Sequence, residues 1–202
     1  MRRARAAAAA ALALACVPGG VVLLAGEWAR GEPPPPAWMA KRPFPPVPIG
    51  PPPRFQPVAT AGPAASCRKR RAVRHLAHLE LFAEGKVVII PAGLGIHGPL
   101  TLRQGRVVRG GCRQPVFTTE PTGVLAVAGP RVTLGDLFDV WRHPLGRDRM
   151  LSFRGPVRAY VAGRPWRGDP RAIPLEHHAQ IVVQVGPYIR PHAVYPFPRR
   201  LA

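Results

Sequence analysis

The chain has 202 residues, and its 29 lysine and arginine residues against 10 acidic residues give a formal charge of +19. This length excludes two large domains, because one domain takes about 100 to 200 residues. The charge would ordinarily indicate a polyanionic partner. Only three of the basic residues are lysine, however, and Ala, Pro and Gly are abundant, as in GC-rich genomes, so we give charge reduced weight.

The N-terminus indicates export. The basic segment "MRRAR" precedes 21 uncharged residues, from Ala6 to Gly26, close to the roughly 20 that cross a bilayer as a helix. Three alternatives remain for residues 1–31: an uncleaved signal anchor, a signal peptide cleaved near "LLAGEWA", or a lipoprotein signal with its lipid on Cys16. All three place the remainder outside the cytoplasm, membrane-anchored or secreted.

A proline-rich segment and two cysteines follow. Residues 32–66 contain 13 prolines, which predicts an extended, semi-rigid spacer. Cys67 and Cys112 are the only cysteines of the presumed folded part, and an oxidising compartment favours a disulfide between them. They do not indicate a zinc site, because such a site needs close cysteine pairs.

The next segments predict hairpins and one helix. "HLELFAEGKVVIIPAG" indicates two strands around a turn at Glu84-Gly85. A second hairpin is predicted over 115–127, breaking at "PTG". In "TLGDLFDVW", Thr133 and Asp136 fit a helix N-cap with a first-turn carboxylate, and apolar residues recur at helical spacing before Pro144.

The C-terminal part adds a third hairpin, "VRAYVAGRPWRGD", with Gly163 at its turn. A short connector then leads to "AQIVVQVG", which is typical of a buried central strand. We therefore predict an α+β, mostly β domain over 67–190, with three antiparallel hairpins and one or two short helices. An N-terminal hydrophobic helix and the spacer precede it, and residues 191–202 form an extended proline-rich tail.

Histidines are the main candidates for chemistry. Ligands on one face of a strand need even spacing, so His75 and His78, three residues apart, should point to opposite faces. A metal site would need His78 together with His75 or Glu120, and one residue of the pair His177 and His178, brought together by the fold. Such ligands would suit zinc or copper(II).

No sequence motif indicates an enzyme or a nucleic-acid-binding protein. Neither Ser66 nor Ser152 lies in G-x-S-x-G, and phosphate-binding glycine loops and H-E-x-x-H are absent from the sequence. The basic cluster "CRKRR" at 67–71 lacks the interleaved aromatic residues that stack on bases. A solvated basic segment, or a contact with an acidic envelope polymer, is the better interpretation of this cluster.

Several motifs in a fixed order resemble an uncharacterised family of exported bacterial domains. Members carry an H-x-H-A-H-L strand, a P-A-G-I-G-I-like turn, an H-T-H segment, T-L-G-x-F-F-D-x-W, G-D-P-x-x-I-P-L and Y-x-F-P. The corresponding segments here are "AHL" at 77–79, "IPAGLGI" at 90–96, "TTEPTGVLAV" at 118–127, "TLGDLFDVW" at 133–141, "GDPRAIPL" at 168–175 and "YPFP" at 195–198.

The resemblance implies a scaffold that once held a metal. The even spacing of H-x-H-x-H looks like a one-face site completed by H-T-H, yet only His78 of the first motif is present, and Thr118, Thr119 and Glu120 replace H-T-H. We therefore expect a membrane-tethered, extracytoplasmic domain with a non-enzymatic binding or structural role in the cell envelope, a degenerate metal site and no cofactor. A functional zinc- or copper-binding protein that uses His78 and its neighbours is the alternative.

Overall fold

The structure is a computed structural model that describes residues 44–69 and 71–197. The predicted N-terminal segment 1–31, with Cys16, lies outside these residues, as do the first part of the predicted spacer, residues 32–43, and the last residues of the predicted tail. Within the described residues, no helix is both long enough and apolar enough to cross a bilayer.

Strands dominate the described residues, with one α-helix, α1 (Leu134–Trp141), and two 3-10 turns. The strands are β1 (His75–Ala83), β2 (Lys86–Val88), β3 (Thr101–Arg103), β4 (Arg106–Arg109), β5 (Val116–Phe117), β6 (Val124–Val127), β7 (Arg149–Met150), β8 (Phe153–Arg154), β9 (Val157–Val161), β10 (Arg164–Trp166) and β11 (Gln180–Val185). The fold is mostly β, as the sequence predicts.

Seven strands form one main sheet. Its order is β10-β9-β11-β1-β6-β5, and β2 also pairs with β1. The pairing of β1 with β11 is parallel, whereas the other pairings in this sheet are antiparallel. Strands β3 and β4, and strands β7 and β8, form two separate two-stranded sheets. The parallel pair at the centre makes the main sheet mixed.

The three predicted hairpins correspond to β1–β2, β5–β6 and β9–β10. Glu84 and Gly85 have positive φ, as do Ala162 and Gly163, which is typical of tight two-residue turns. The structure adds two antiparallel pairs, β3–β4 and β7–β8, so the predicted number of three hairpins is too low. The strands of the added hairpins are two to four residues long.

Helix α1 begins with the predicted cap. The Asp136 amide donates to Thr133 Oγ1 at 3.3 Å, and the Thr133 amide donates to Asp136 Oδ2 at 2.7 Å, which completes a capping box. The helix ends at Arg142 in the left-handed conformation. Its buried face places Leu137, Phe138 and Trp141 in the main core.

The two faces of β1 pack against different clusters. One face supplies the main core, which also contains residues from β6, β11 and α1; these β1 residues are Ala77, Leu79, Leu81 and Ala83. On the other face, Leu76 and Phe82 belong to two smaller clusters. His78 and Glu80 lie between them on that second face, because side chains alternate along a strand.

Part of the predicted spacer packs on the domain. Phe55 is only 4% exposed, and its ring centre lies 4.8 Å from that of Phe153. A Cβ on Gly50 would lie 2.0 Å from the Phe55 ring, so this position must be glycine for Phe55 to pack as it does. The folded domain therefore begins before residue 67, where the sequence predicts its start.

Backbone bonds fix the same segment. The Val87 amide donates to Pro48 O at 2.9 Å, and the Gly50 amide donates to Val87 O at 3.1 Å. Further along, Trp141 Nε1 donates to Val58 O at 3.1 Å. Proline has no amide hydrogen but keeps its carbonyl, so a proline-rich chain can still accept bonds from a strand and from the core.

The predicted disulfide is present. Cys67 and Cys112 are bonded, with their Cα atoms 5.4 Å apart. Next to it, the Arg68 amide donates to Arg113 O at 3.0 Å, and the Arg113 amide donates to Arg68 O at 2.9 Å. The disulfide therefore joins the segment before β1 to the segment after β4.

Substitutions in the proline-rich segment test whether it belongs to the fold. We expect Phe55→Ala to lower the free energy of unfolding by about 3 to 5 kcal/mol, because it removes a buried aromatic ring. Val58→Ala, at a position 76% exposed, should change it by less than about 0.5 kcal/mol. Chemical denaturation of both variants measures the difference. An effect of Phe55→Ala as small as that of Val58→Ala would mean that the segment is a free spacer.

Candidate functional site

Strand β1 changes its neighbour along one edge. Residues 75–78 pair with β6 and residues 81–83 pair with β2, which leaves Leu79 and Glu80 between the two neighbours. A cavity of about 410 Å³ lies at this change. Its polar lining comes from His78, Glu80, His192 and Tyr195, and its apolar lining includes Pro46, Val47, Phe82 and Val87.

His78 links three parts of the fold. Its side chain is buried, with Nε2 2.9 Å from Thr122 O and Nδ1 2.8 Å from Gln180 Oε1. Thr122 belongs to the turn between β5 and β6, and Gln180 begins β11. Gly123 in that turn has φ +80°, and a Cβ there would lie 2.3 Å from Leu79 O and 3.1 Å from His78 Nε2. A glycine therefore lets the turn approach the imidazole.

Burial lowers the pKa of His78, and this effect outweighs the hydrogen bonds from Gln180 and Thr122 and the nearby Glu80 carboxylate, which raise it. The imidazole is therefore neutral at pH 7. Its Nε2–H must donate to Thr122 O, because a carbonyl only accepts. Nδ1 is then an acceptor, so the Gln180 amide must turn its Nε2 toward the ring; otherwise this buried Nε2 has no partner among the described residues.

Glu80 lies beside His78 on the same face of β1. Its Oε2 accepts a hydrogen bond from His192 Nδ1 at 2.7 Å. Its Oε1 lies 4.0 Å from His78 Nδ1, beyond hydrogen-bonding distance, and accepts no hydrogen bond from any described residue. The Glu80 side chain is 19% exposed. One carboxylate oxygen is therefore free to accept a hydrogen bond inside the cavity.

The C-terminal segment covers this face. Tyr195 stacks on His78, with ring centres 3.6 Å apart and planes within 9°. Successive tail residues meet successively earlier residues of β1: Ile189 packs with Phe82, His192 bonds to Glu80, Tyr195 stacks on His78, and Phe197 packs in the cluster of Leu76. The tail therefore runs antiparallel to β1 across its polar face.

Tyr195 keeps its phenol proton. Burial raises the pKa of Tyr195, and the negative charges of Glu120 and Glu80 raise it further. The ring that stacks on the neutral imidazole is thus itself neutral. The contact between tail and strand is a stack of two uncharged rings.

Three predicted histidines lie together elsewhere. His75 Nε2 is 2.7 Å from Leu175 O, and its ring centre lies 6.1 Å from that of His177. His177 stacks on His178 at 3.8 Å, and His178 stacks on Phe197 at 4.3 Å. The spacing argument is confirmed for β1, since His75 and His78 have separate partners on opposite faces.

The structure does not bring the proposed metal ligands to one point. Glu120 pairs with Arg106, at 3.1 Å between Oε1 and Nε, and none of His75, Glu120, His177 and His178 has a hydrogen bond, ion pair or ring contact with His78. Among residues 44–69 and 71–197, no three His, Cys, Asp or Glu side chains are placed to hold a metal ion. Both ring nitrogens of His78 already have hydrogen-bonding partners.

The residues around His78 differ from those that the sequence indicates. Glu80 follows His78 by two residues, and the same even-spacing rule could have identified it. Gln180 and His192 lie 102 residues from His78 and 112 residues from Glu80 respectively. No local pattern reports such long-range contacts.

No family model, curated protein or solved structure matches the chain. The resemblance to a family of exported domains therefore stays a prediction. The geometry of the His78 cavity alone carries the functional interpretation.

The buried imidazole makes stability depend on pH. Because folding lowers the pKa of His78, the unfolded chain binds a proton more readily than the folded chain does. The free energy of unfolding therefore decreases as the pH falls from about 6.5 toward the lowered pKa of the folded state. We expect His78→Gln to flatten this fall in the free energy of unfolding between about pH 7 and 5.

His143 supplies a matched control. Burial also lowers the pKa of His143, so the free energy of unfolding of His78→Gln should still depend on pH to some extent. This remaining dependence should be smaller in the double variant His78→Gln/His143→Gln. Denaturation curves at several pH values measure these slopes. A His78→Gln slope identical to that of the unsubstituted chain would contradict the assignment.

Proposed function

We propose that the chain is an exported, membrane-tethered domain with a non-enzymatic binding role in the cell envelope, and that the His78 cavity is its ligand-binding site. The observation that carries the proposal is the cavity itself, which lies where the neighbour of β1 changes from β6 to β2. A concave, mostly apolar space with a few convergent polar groups is the usual form of a small-molecule site.

Two observations support the proposed compartment. The disulfide between Cys67 and Cys112 is typical of proteins in oxidising compartments. The uncharged segment from Ala6 to Gly26 after a basic start is typical of an export signal or anchor. Together they favour a domain held on the outer side of a membrane.

The lining defines the chemistry of the ligand. Pro46, Val47 and Val87 supply apolar contacts, and Glu80 Oε1 supplies an acceptor that has no donor among the described residues. A small apolar molecule with an ammonium or other donor group complements these features. Such a ligand would donate to Glu80 while its apolar part replaces water in the cavity.

The arrangement favours binding over catalysis. His78 is a buried neutral ring fixed by two hydrogen bonds, and among the described residues that line the cavity there is no Ser or Cys beside the Glu80–His192 pair. Acid–base chemistry needs a group free to exchange its proton with a substrate. His78 is instead held in one tautomer by the fold.

Benzylamine and phenylacetate test this proposal, because they share an aromatic ring and carry opposite charges. We expect saturation-transfer NMR on the full chain to show benzylamine binding and no phenylacetate binding. Glu80→Gln should weaken benzylamine binding about tenfold, as expected for loss of one charge-assisted hydrogen bond.

Glu84→Gln is the matched control. Glu84 lies on the same hairpin, but its carboxylate pairs with Arg54 near the surface and does not line the cavity. Its substitution should leave benzylamine binding unchanged. Equal binding of benzylamine and phenylacetate, or equal weakening of benzylamine binding by Glu80→Gln and Glu84→Gln, would overturn the proposed site.

A zinc or copper(II) site is the second candidate. The Glu80 carboxylate lies between two imidazoles, with Oε2 2.7 Å from His192 Nδ1 and Oε1 4.0 Å from His78 Nδ1. Two imidazoles and a carboxylate are ligands that these metals accept, but these three side chains are not placed to hold a metal ion as they stand, so they would have to move to bind one. A metal on His78 would have to replace its hydrogen bond to Thr122 or to Gln180. Loss of one of these hydrogen bonds on addition of metal therefore distinguishes the metal site from the ligand cavity.

A further inference from the structure

A second surface lies on the β3–β4 hairpin. This hairpin forms its own two-stranded sheet, and of its strand residues only Val107 is buried. Leu102 is 52% exposed and Val108 is 53% exposed. Two large aliphatic side chains therefore face solvent on a hairpin with little packing of its own.

Arginines flank these aliphatic residues along both strands. Arg103, Arg106 and Arg109 are all exposed, and Arg103 pairs in register with Arg106 across the turn. Arg106 has an ion pair with Glu120, whereas Arg103 and Arg109 have no acidic partner among the described residues. The sequence contains no Asp or Glu from residue 85 to residue 119, so this surface has a large excess of positive charge.

The basic surface continues beyond the hairpin. After Arg109, the chain passes through Cys112 to Arg113, whose backbone pairs with Arg68. Arg71 then donates to Arg113 O at 3.3 Å and to Ser66 O at 2.9 Å. Backbone pairing and the disulfide thus join the predicted basic cluster to the hairpin.

We propose that the β3–β4 hairpin is a membrane-docking surface, which binds anionic lipid headgroups through its arginines and places Leu102 and Val108 in the bilayer interface. Basic residues are attracted to the negative surface of anionic membranes. Exposed aliphatic side chains next to them gain from burial at the boundary between headgroups and acyl chains.

The aliphatic pair is the reason to assign a bilayer. A soluble acidic wall polymer offers charge to the arginines but no apolar phase for Leu102 and Val108. A bilayer offers both. Docking on a polymer is therefore the competing outcome, and a soluble polyanion distinguishes it.

The length of the chain allows this contact. Seventeen residues separate Gly26 from Phe44, and they span at most about 60 Å when fully extended. The inference rests on the proposed membrane tether in this respect, but it does not depend on the ligand cavity. A tether of this length keeps the domain close to the surface that it would contact.

A fluorescent label on the hairpin turn tests the proposal. The full chain, carrying Cys16→Ala and Gln104→Cys, is labelled with an environment-sensitive dye and incorporated into lipid nanodiscs. Retention in neutral nanodiscs reports the tether by itself. With anionic phosphatidylglycerol in the nanodiscs, we expect a blue shift of the dye and quenching by brominated lipid, both absent with neutral lipid alone.

The β9–β10 hairpin supplies a matched control. Its turn residue Ala162 has the same positive φ as Gln104, and the exposed Arg164 follows it, but neither of its valines, Val157 and Val161, is among the exposed large hydrophobic residues. A label at Ala162→Cys should respond little to anionic lipid. The response at position 104 should fall at least twofold in Leu102→Ser/Val108→Ser, and also in about 1 M salt, where the screening length is about 3 Å.

Two results would overturn the proposal. The first is an equal response of both labels, or equal responses in anionic and neutral nanodiscs. The second is an equal response of the position-104 label to soluble poly(glycerol phosphate) without lipid, which would assign the surface to an acidic polymer. Failure of retention in neutral nanodiscs, with a response at position 104 in anionic ones, would reject the tether and still support docking.

Discussion

The change of neighbour along one edge of β1 is the constraint on which the rest of the structure depends. β6 and β2 share this edge, and the register of neither strand includes Leu79 and Glu80, although the Leu79 amide donates to Gly123 O, just before β6. His78 lies at the end of the first pairing, and its two ring nitrogens contact the β5–β6 turn and β11. The imidazole therefore reinforces a point where the backbone also joins these segments, since the His78 amide donates to Ala179 O at 2.8 Å and the Leu79 amide donates to Gly123 O at 2.9 Å.

Segments without regular secondary structure complete the sheet at the same place. The proline-rich segment around Pro48 accepts a hydrogen bond from β2, and the tail crosses the polar face of β1 through His192 and Tyr195. Phe44 contacts His192 at 3.9 Å between ring centres, so the two segments meet at the cavity. Both ends of the described chain thus contribute to the proposed binding site.

Local features of the fold could be predicted from the sequence. The capping box of Thr133 and Asp136 and the turn at Glu84-Gly85 depend on residues within four positions of one another, and local patterns report such features. The Cys67–Cys112 disulfide followed from the compartment and the cysteine count. Burial of all six residues of β11 agrees with its apolar run.

Long-range features could not be predicted. The parallel pairing of β1 with β11 joins residues about 100 positions apart, and proline content gave no indication that Phe55 enters the core. In the site, the spacing of His78 and Glu80 was readable from the sequence. Gln180, His192 and Tyr195 reach the same cavity only through the tertiary fold. The five predicted ligands are divided among this cavity, the group of His75, His177 and His178, and the ion pair of Glu120 with Arg106.

The proposed site depends on His78 being a neutral, hydrogen-bonded ring that shapes a ligand cavity. Long-range ¹⁵N–¹H NMR of the histidine side chains, on the untagged full chain before and after addition of Zn²⁺, tests this most directly. We expect a proton on Nε2 of His78 at neutral pH and no change when zinc is added. A His78 resonance that loses this tautomer and reports a nitrogen–metal bond would contradict it and favour the metal site.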